Sequence, residues 1–471
     1  MKVKTIPSAW MRRDGRRFDC GPYMSGALEA RIRLEEISCR KNRLAELTEG
    51  HAGGIYNGPQ FARNFVDSPE YGVPFLGTSS MLRADLSDLP LLRRRDALSP
   101  KLAYLQIQPG MTLISCSGTI GRMVYARPDM QGMWSNQDIL KVVPNPAKVP
   151  SGYLFAFLSS KFGVPLVTSG TYGAIIQHIE PQHIADLPVP RLGDEMERRV
   201  HELVEEASRL RAEASASLRR AVKVTLATWE VDDLVVDRDA HPDIVITPIS
   251  QISSARRLDA FFYGRGGSGS DRVLAGIHRR IPVQALGVLS KEVFETTRFG
   301  RRTVDDPAHG VAFLSISDLV KFDPKTEALV SKAQIRSLRA DVKAGWLILP
   351  RVGQLEGVFG TVCYIPRHLD GIGVSDNNIR VVPRSELEGA YLWAALSTRL
   401  LYFQIVRRAC GTSIPYLDAR RVREIPVPWP SESVRNGIAA TVIAAMEKRS
   451  LASEAEDDAR ALVEHAIEEA T

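Results

Sequence analysis

Residues 72–81 read "GVPFLGTSSM", and residues 310–319 read "GVAFLSISDL". Each opens as a short apolar run of strand character and passes into a polar turn. The Gly-Val and Phe-Leu pairs recur in the same places, with Phe75 and Phe313 lying 238 residues apart, as do Pro188 and Pro426. Working outward, "FARNFVDSPEYG" (61–72) faces "FGRRTVDDPAHG" (299–310) without a gap. Upstream, "RRFDCGPY" (16–23) faces "RRLDAFFY" (256–263). Downstream, "QPGMTLISCSGTIG" (108–121) answers "KAGWLILPRVGQLEG" (343–357), and "SNQDILKVVP" (135–144) answers "SDNNIRVVP" (375–383). Then "GYLFAFLSS" (152–160) meets "GAYLWAALST" (389–398), and "IADLPVPRL" (184–192) meets "VREIPVPWP" (422–430). The order is kept throughout. One unit of about 240 residues is written twice, far longer than a solenoid repeat.

Each copy has two parts. The first mixes short β-rich runs ("MTLIS", "ILKVV", "WLILP", "NIRVV") with apolar helical ones ("GYLFAFLSSKF", "AYLWAALSTRLLYFQIV") and closes on a proline-punctuated strand. The second is a long helix. In the first copy Met196, Val200, Leu203, Ala207, Leu210, Ala214, Ser217, Ala221 and Val224 step by alternating four and three, the spacing of a coiled-coil seam. In the second, Ile438, Val442, Ala445 and Met446 lead an alanine-rich stripe that ends on Val463 and Ile467. Neither stripe is buried by its own helix, so the two helices are expected to pair antiparallel, with the β-rich domains at opposite ends of a rod. The expected fold class is α+β: two tandem mixed α/β recognition-type domains, separated and followed by long helices forming an antiparallel coiled coil. The expected boundaries are 1–193 for the first domain, 194–230 for the first spacer helix, 231–430 for a connector and second domain, and 431–471 for the second spacer helix.

The chain has 471 residues, 44% hydrophobic and 25% charged, the balance of a soluble globular protein. The basic N-terminus lacks the apolar core of a signal peptide, and no apolar run reaches the roughly 18 residues of a spanning helix. Five scattered cysteines without a CxxC argue against a disulfide framework or a zinc site. A cytoplasmic protein with no membrane partner is expected. The net charge of +6 is unevenly spread. By composition, residues 1–193 carry about +7 and 231–430 about +5, while 431–471 carry about −5. Basic blocks of that size suit a polyanion.

Candidate contact residues fall in loops. "TSGTYGAIIQH" (168–178) offers Thr171, Tyr172 and Gln177; "RRACGTSIPY" (407–416) offers Arg407, Arg408, Thr412, Ser413 and Tyr416. The polar residues supply donors and acceptors, and the two arginines suit phosphate or guanine. The glycine turns "SCSGTIGR" and "PRVGQLEG" lack the Gly-Lys-Ser/Thr of a nucleotide loop. They are read as tight turns that carry Arg122, Arg351 and Gln354 toward a ligand. Asn136, Gln137, Asn377 and Asn378 match the pattern of an adenine edge, but equally suit turn caps. Arg301 and Arg302, like the run 93–95, are surface charges that would hold phosphate if they bind DNA. No metal site is expected; His178 and His183 lack helical ligand spacing. No DPPY- or NPPY-type tetrapeptide or glycine-rich S-adenosylmethionine loop is present. Asp243 with Asp323 and Lys325 is the best acidic set for a nuclease.

Taken together, the landmarks resemble the specificity subunit of type I restriction–modification systems. They are Arg17-Phe18-Asp19 with Arg257-Leu258-Asp259, Gly118-Thr119-Ile120-Gly121, Asn136-Gln137, and Leu187-Pro188-Val189-Pro190 with Ile425-Pro426-Val427-Pro428. The usual opening of the family's spacer helix appears here only as "PRLGDEMERR" and "PWPSESVRN", as in a divergent member or another phage-defence methylation system. The resemblance implies a non-catalytic protein whose two domains each read half of a split double-stranded DNA site. Its helices would dock two DNA methyltransferase subunits, with a restriction translocase as a further possible partner. The chain itself would hold no cofactor, and S-adenosylmethionine would sit on the methyltransferase. Because the copies differ most where bases would be read, the expected target is asymmetric and bipartite. The alternatives are a scaffold for RNA or acidic proteins, and a stand-alone nuclease.

Overall fold

The computed structural model describes residues 3–13, 21–169, 178–232, 245–354, 357–411 and 414–470. Thr171, Tyr172, Gln177, Thr412, Ser413, the arginine motif at 16–19 and Asp243 lie outside them. The chain divides into two compact units, one of residues 1–212 with 451–471, the other of residues 213–450. No described helix is long and apolar enough to cross a membrane.

In the first unit the strands are β1 (Lys41–Arg43), β2 (Ile55–Tyr56), β3 (Phe65–Val66), β4 (Gly72–Leu76), β5 (Leu91–Arg93), β6 (Thr112–Ser115), β7 (Met123–Tyr125), β8 (Trp134–Ser135), β9 (Ile139–Val142) and β10 (Pro188–Pro190). They form a sheet ordered β2-β9-β6-β7, a second ordered β3-β5-β4-β8, and the pair β1-β10. Every residue of β6 and β9 is buried, so both read as continuous apolar runs with few polar interruptions. The helix Ser151–Leu158 covers this sheet; all its residues but the first are buried.

The second unit repeats the plan. Its strands are β11 (Val283–Ala285), β12 (Ser290–Glu295), β13 (Gly310–Leu314), β14 (Leu329–Ser331), β15 (Leu347–Pro350), β16 (Cys363–Tyr364), β17 (Gly373–Val374), β18 (Asn378–Pro383) and β19 (Pro426–Pro428). They are ordered β12-β18-β15-β16, β14-β13-β17 and β11-β19. The place of β3 is taken by a single bridge between Thr303 and Val330. Even side-chain details recur: Tyr153 donates to the carbonyl of Pro190, and Tyr391 to that of Pro428. These bonds tie each covering helix to its proline-punctuated strand.

The glycine opening the repeated stretch has a steric reason. A Cβ at Gly72 would lie 2.6 Å from the Leu91 Cβ and 2.8 Å from the Val66 side chain. At Gly310 it would lie 2.7 Å from the Leu329 Cβ and 2.8 Å from the Val304 side chain. The neighbouring strand approaches too closely for any side chain there, in both copies.

The long helices run Asp194–Thr228 and Glu432–Glu469. In the first unit Val200 and Val204 share one core with Ala459, Val463, Ile467, the strand residues Ile114 and Leu140, and Phe155 of the covering helix. In the second unit Ala214, Leu218 and Ala221 share a core with Ile438, Val442, Ala445, Leu347 and Val381. Early residues of the first helix therefore meet late residues of the second, an antiparallel arrangement. Val200, Ala207, Leu210, Ala214, Ile438, Val442 and Ala445 are buried as expected, and Leu203 is half-buried.

The other half of the expected stripe is shifted. Val204, Leu218 and Thr225 are buried, each one residue beyond the expected Leu203, Ser217 and Val224, and Val224 is 45% exposed. Arg211 is buried as well, beside Leu210, so a charged residue joins the seam. Its guanidinium enters the seam because Glu456 meets it there, with both side chains about 95% buried. Arg460 adds a second bond to Glu456 at 2.6 Å. Burial alone would raise the Glu456 carboxyl, but the two guanidiniums outweigh it and hold the group at about 2.

Glu456→Ala should cost about 3–5 kcal/mol, since it strands Arg211 without a counter-charge. Arg211→Met combined with Glu456→Leu should recover most of that loss in denaturant titrations. Because the Glu456 pKa is lowered from 4.5 to about 2, its contribution is full above 4.5 and disappears as pH falls through about 2. The wild-type chain should accordingly lose more stability than the double variant across that window.

Candidate nucleic-acid interface

At the end of β6 the backbone N–H of Cys116 donates to the carbonyl of Asp138, and Ile179 donates to the carbonyl of Cys116, both at 3.0 Å. At the end of β15 Arg351 donates to Asn377 (2.8 Å), and Leu417 donates to Arg351 (2.7 Å). The bridge Ser117–His178 in one copy has its counterpart in Val352–Tyr416. One backbone frame is thus built twice, holding three segments together at each sheet end.

The side chains on this frame differ. In the first unit Cys116 is buried, and burial pushes its thiol up to about 11, while Asn57 hydrogen-bonds it. Gln137, half-buried, accepts from Arg63 at 3.1 Å. In the second unit the place of Cys116 is held by Arg351, half-buried and 3.5 Å from Glu295. Glu295 in turn accepts the backbone N–H of Ala419 at 3.1 Å. Amides stand beside Asp138 in one copy; the guanidinium of Arg351 and the carboxylate of Glu295 stand with Asp376 and Asn377 in the other. The two frames therefore present different hydrogen-bonding groups: amides both donate and accept, a guanidinium only donates and carboxylates only accept.

Several expected contact residues lie on this surface. Arg122 and Gln354 are exposed beside the turns that follow β6 and β15, and Gly118 and Gly121 take the expected positive φ of 73° and 77°. Tyr416 is 41% exposed on its bridge. Arg301 and Arg302 are exposed in the neighbouring loop.

Others are turned inward. Arg407 is 5% exposed, donating to the Gly267 carbonyl (3.0 Å) and to Asp271 (2.5 Å), with its guanidinium 4.0 Å from the centre of the Phe262 ring. Arg408 bonds the Gln404 side chain and the Glu424 carbonyl, and burial lowers it to about 10. Arg407 closes the joint between the helices Arg265–His278 and Arg399–Val406, and Arg408 ties the end of the latter to Glu424. Asn136 is buried and donates to Asp138 at 3.1 Å; Asn378 is fully buried and donates to Ser375 at 2.8 Å. Of the two roles open to these amides, the capping one is occupied. Asp323, the acidic candidate, pairs with Lys325 at 2.9 Å.

Sequence reasoning passed over Asn57, Arg63, Asp138 and Glu295. For Arg63 the signal was present: "FAR" at 61–63 faces "FGR" at 299–301. It also passed over a buried cation that both copies place on the central strand. Lys141 is fully buried, donating to the Ile139 carbonyl at 3.2 Å, with its ammonium 5.5 Å from the Tyr56 ring. Arg380 takes the same place on β18, bonded to the carbonyls of Ala340 and Val374 and 5.9 Å from the Phe294 ring. Burial lowers Lys141 from 10.5 to about 7 and Arg380 to about 10.

Lys141→Met should stabilise the chain, because the wild type must hold or neutralise a charge out of water. With the folded pKa below the unfolded one, the penalty is greatest below pH 7 and fades between 7 and 10.5. The gain on substitution should be on the order of a few kcal/mol at pH 6 and shrink toward alkaline pH in parallel denaturant titrations.

No protein-family model and no curated protein matches the sequence. Among solved structures, the chain is similar to a type I restriction–modification S subunit from M. genitalium, with a TM-score of 0.40 and 11% identity over 92% of this chain and 96% of that one. It is also similar to the HsdS subunit from Thermoanaerobacter tengcongensis, with a TM-score of 0.28 and 12% identity over 92% and 97%. A chain from a study of assembly and conformational transition of the type I R-M system gives 0.29 and 13% over 91% and 97%.

Proposed function

We propose that this chain is a non-catalytic reader of DNA sequence, the specificity subunit of an adenine methyltransferase complex of the type I restriction–modification class. One observation carries the reading: a single loop frame is built twice, and its equivalent positions hold Asn57, Cys116 and Gln137 in one copy but Glu295, Arg351 and Asp376 in the other. An enzyme duplicated in this way would keep or lose a catalytic set. A reader changes its contact residues while keeping the frame, and two unlike frames imply an asymmetric, two-part target.

In this reading, exposed basic side chains hold phosphates and the frame residues read base edges. Two methyltransferase subunits supply S-adenosylmethionine and take the target adenine out of the stack. A restriction subunit joins the same assembly, and the helical pair is the docking element. The composition and the proline-closed strands agree with the type I resemblance, and the cytoplasm is where such a complex would meet DNA.

Selection from random duplexes by the full chain, with the methyltransferase that co-purifies from its host, should enrich two short fixed blocks at a constant gap. Adenine methylation at that site should vanish when the gene is deleted. No enrichment would favour an RNA- or protein-binding scaffold instead, and a palindrome would overturn the asymmetric target. Arg351→Ala should relax preference in one block only, by about 1–3 kcal/mol at the affected base pair, and leave the other block unchanged.

A further inference from the structure

Divergence between the two frames gives meaning to what did not diverge. In the first unit Phe61 and Phe75 meet edge to face at 6.0 Å, and the exposed guanidinium of Arg63 sits 5.8 Å from the centre of the Phe75 ring. In the second unit Phe299 and Phe313 meet edge to face at 6.2 Å, and the exposed Arg301 sits 4.8 Å from the centre of the Phe313 ring. Both lower rings are buried, and both belong to the strand quoted at the outset, β4 or β13. That strand is pinned by parallel pairing to the segment leading into the reading loops: Phe75 with Trp134, and Phe313 with Gly373. Each arginine is therefore seated on a rigid floor close to residues that do change between copies.

We propose that Arg63 and Arg301 are a matched pair of phosphate clamps, one on each unit, making the contact that both half-sites share whatever their bases. The inference rests on the DNA-reading function proposed above and assigns roles within it. A group that reads a base should differ between heads that read different bases. A group that grips the backbone should not, because phosphate is the same at every step. The chemistry fits. A guanidinium over an aromatic face is partly immobilised and already weakly hydrated, and it presents a planar set of donors for bidentate phosphate binding. In the first unit one donor reaches Gln137 at 3.1 Å, linking the clamp to a candidate base-reading side chain. In the second the equivalent position is Asp376.

Among the described residues, two other basic positions shared by both copies are already engaged. Arg94 donates to the carbonyls of Pro69, Glu70 and Gly72, and its counterpart Lys332 donates to Ala308. These side chains close the turn before β4 and β13. Lys141 and Arg380 are buried. Arg63 and Arg301 keep both the shared position and the exposed charge.

The test measures affinity of the full chain, with its co-purifying partner, for the selected duplex and for a shuffled duplex of equal length, between about 50 and 200 mM salt. R63Q/R301Q should weaken binding to both duplexes by a similar factor and reduce the slope of log affinity against log salt by about 1.8, or 0.9 for each lost phosphate. R63K/R301K keeps the charges, and should keep the slope while losing part of the affinity. It also serves if the glutamine variant does not fold. An unchanged slope in R63Q/R301Q, a reduced slope in R63K/R301K, or a loss confined to the selected duplex overturns the assignment. If the wild-type chain binds neither duplex, the DNA-reading function itself fails and the clamps fail with it.

Discussion

The contact between Arg211 and Glu456 governs how the two long helices can meet. Their shared seam is otherwise built from valine, isoleucine, leucine, Met446 and many alanines, residues that pack almost as well after a slip along the helix. A buried ion pair contributes little net stability, because desolvation consumes most of the attraction. Its force is negative. Any other register would leave a guanidinium and a carboxylate buried apart, a loss that small apolar contacts do not offset. The second guanidinium, Arg460, completes the shell around Glu456 and makes the carboxylate tolerable out of water. In the first unit this pair adjoins the core that runs from the helices into the sheet, so the helix register also sets where the sheet sits.

Duplication followed by divergence leaves a record of what the fold needs. Kept in both copies are the glycine where two strands crowd, the tyrosine that bonds the last proline of the closing strand, and a buried cation beside an aromatic ring. These are backbone and packing constraints that do not depend on a ligand. The changed positions gather at one place, the ends of β6 and β15, where three parts of the chain are held together by backbone hydrogen bonds. Because main-chain atoms hold the frame, its side chains are free to vary without loosening it.

Burial sorted the candidate contact residues. Arginine and asparagine patterns in a loop look alike whether they face a ligand or brace the interior. Arg407 finds Asp271 and the Phe262 ring; Asn378 finds Ser375. Arg351 and Gln137 stay half-buried at the edge of the fold, paired with Glu295, also half-buried, and with the exposed Arg63. The distinction turns on neighbours distant along the chain.

The sequence alone determined the repeat, the places of the long helices, the proline-closed strands and the unlike content of the two loop frames. Those features are local or periodic: spacing of apolar residues, the missing N–H of proline, and matching words at a constant offset. Only the tertiary structure decided which face of the first helix enters the seam, since Arg211 is buried there beside Leu210 once Glu456 stands opposite. It also decided which polar side chains are spent on the interior, and that Arg63 and Arg301 stand over equivalent rings. Each depends on a partner brought close by folding, and pairing across hundreds of residues leaves no periodic trace in the chain.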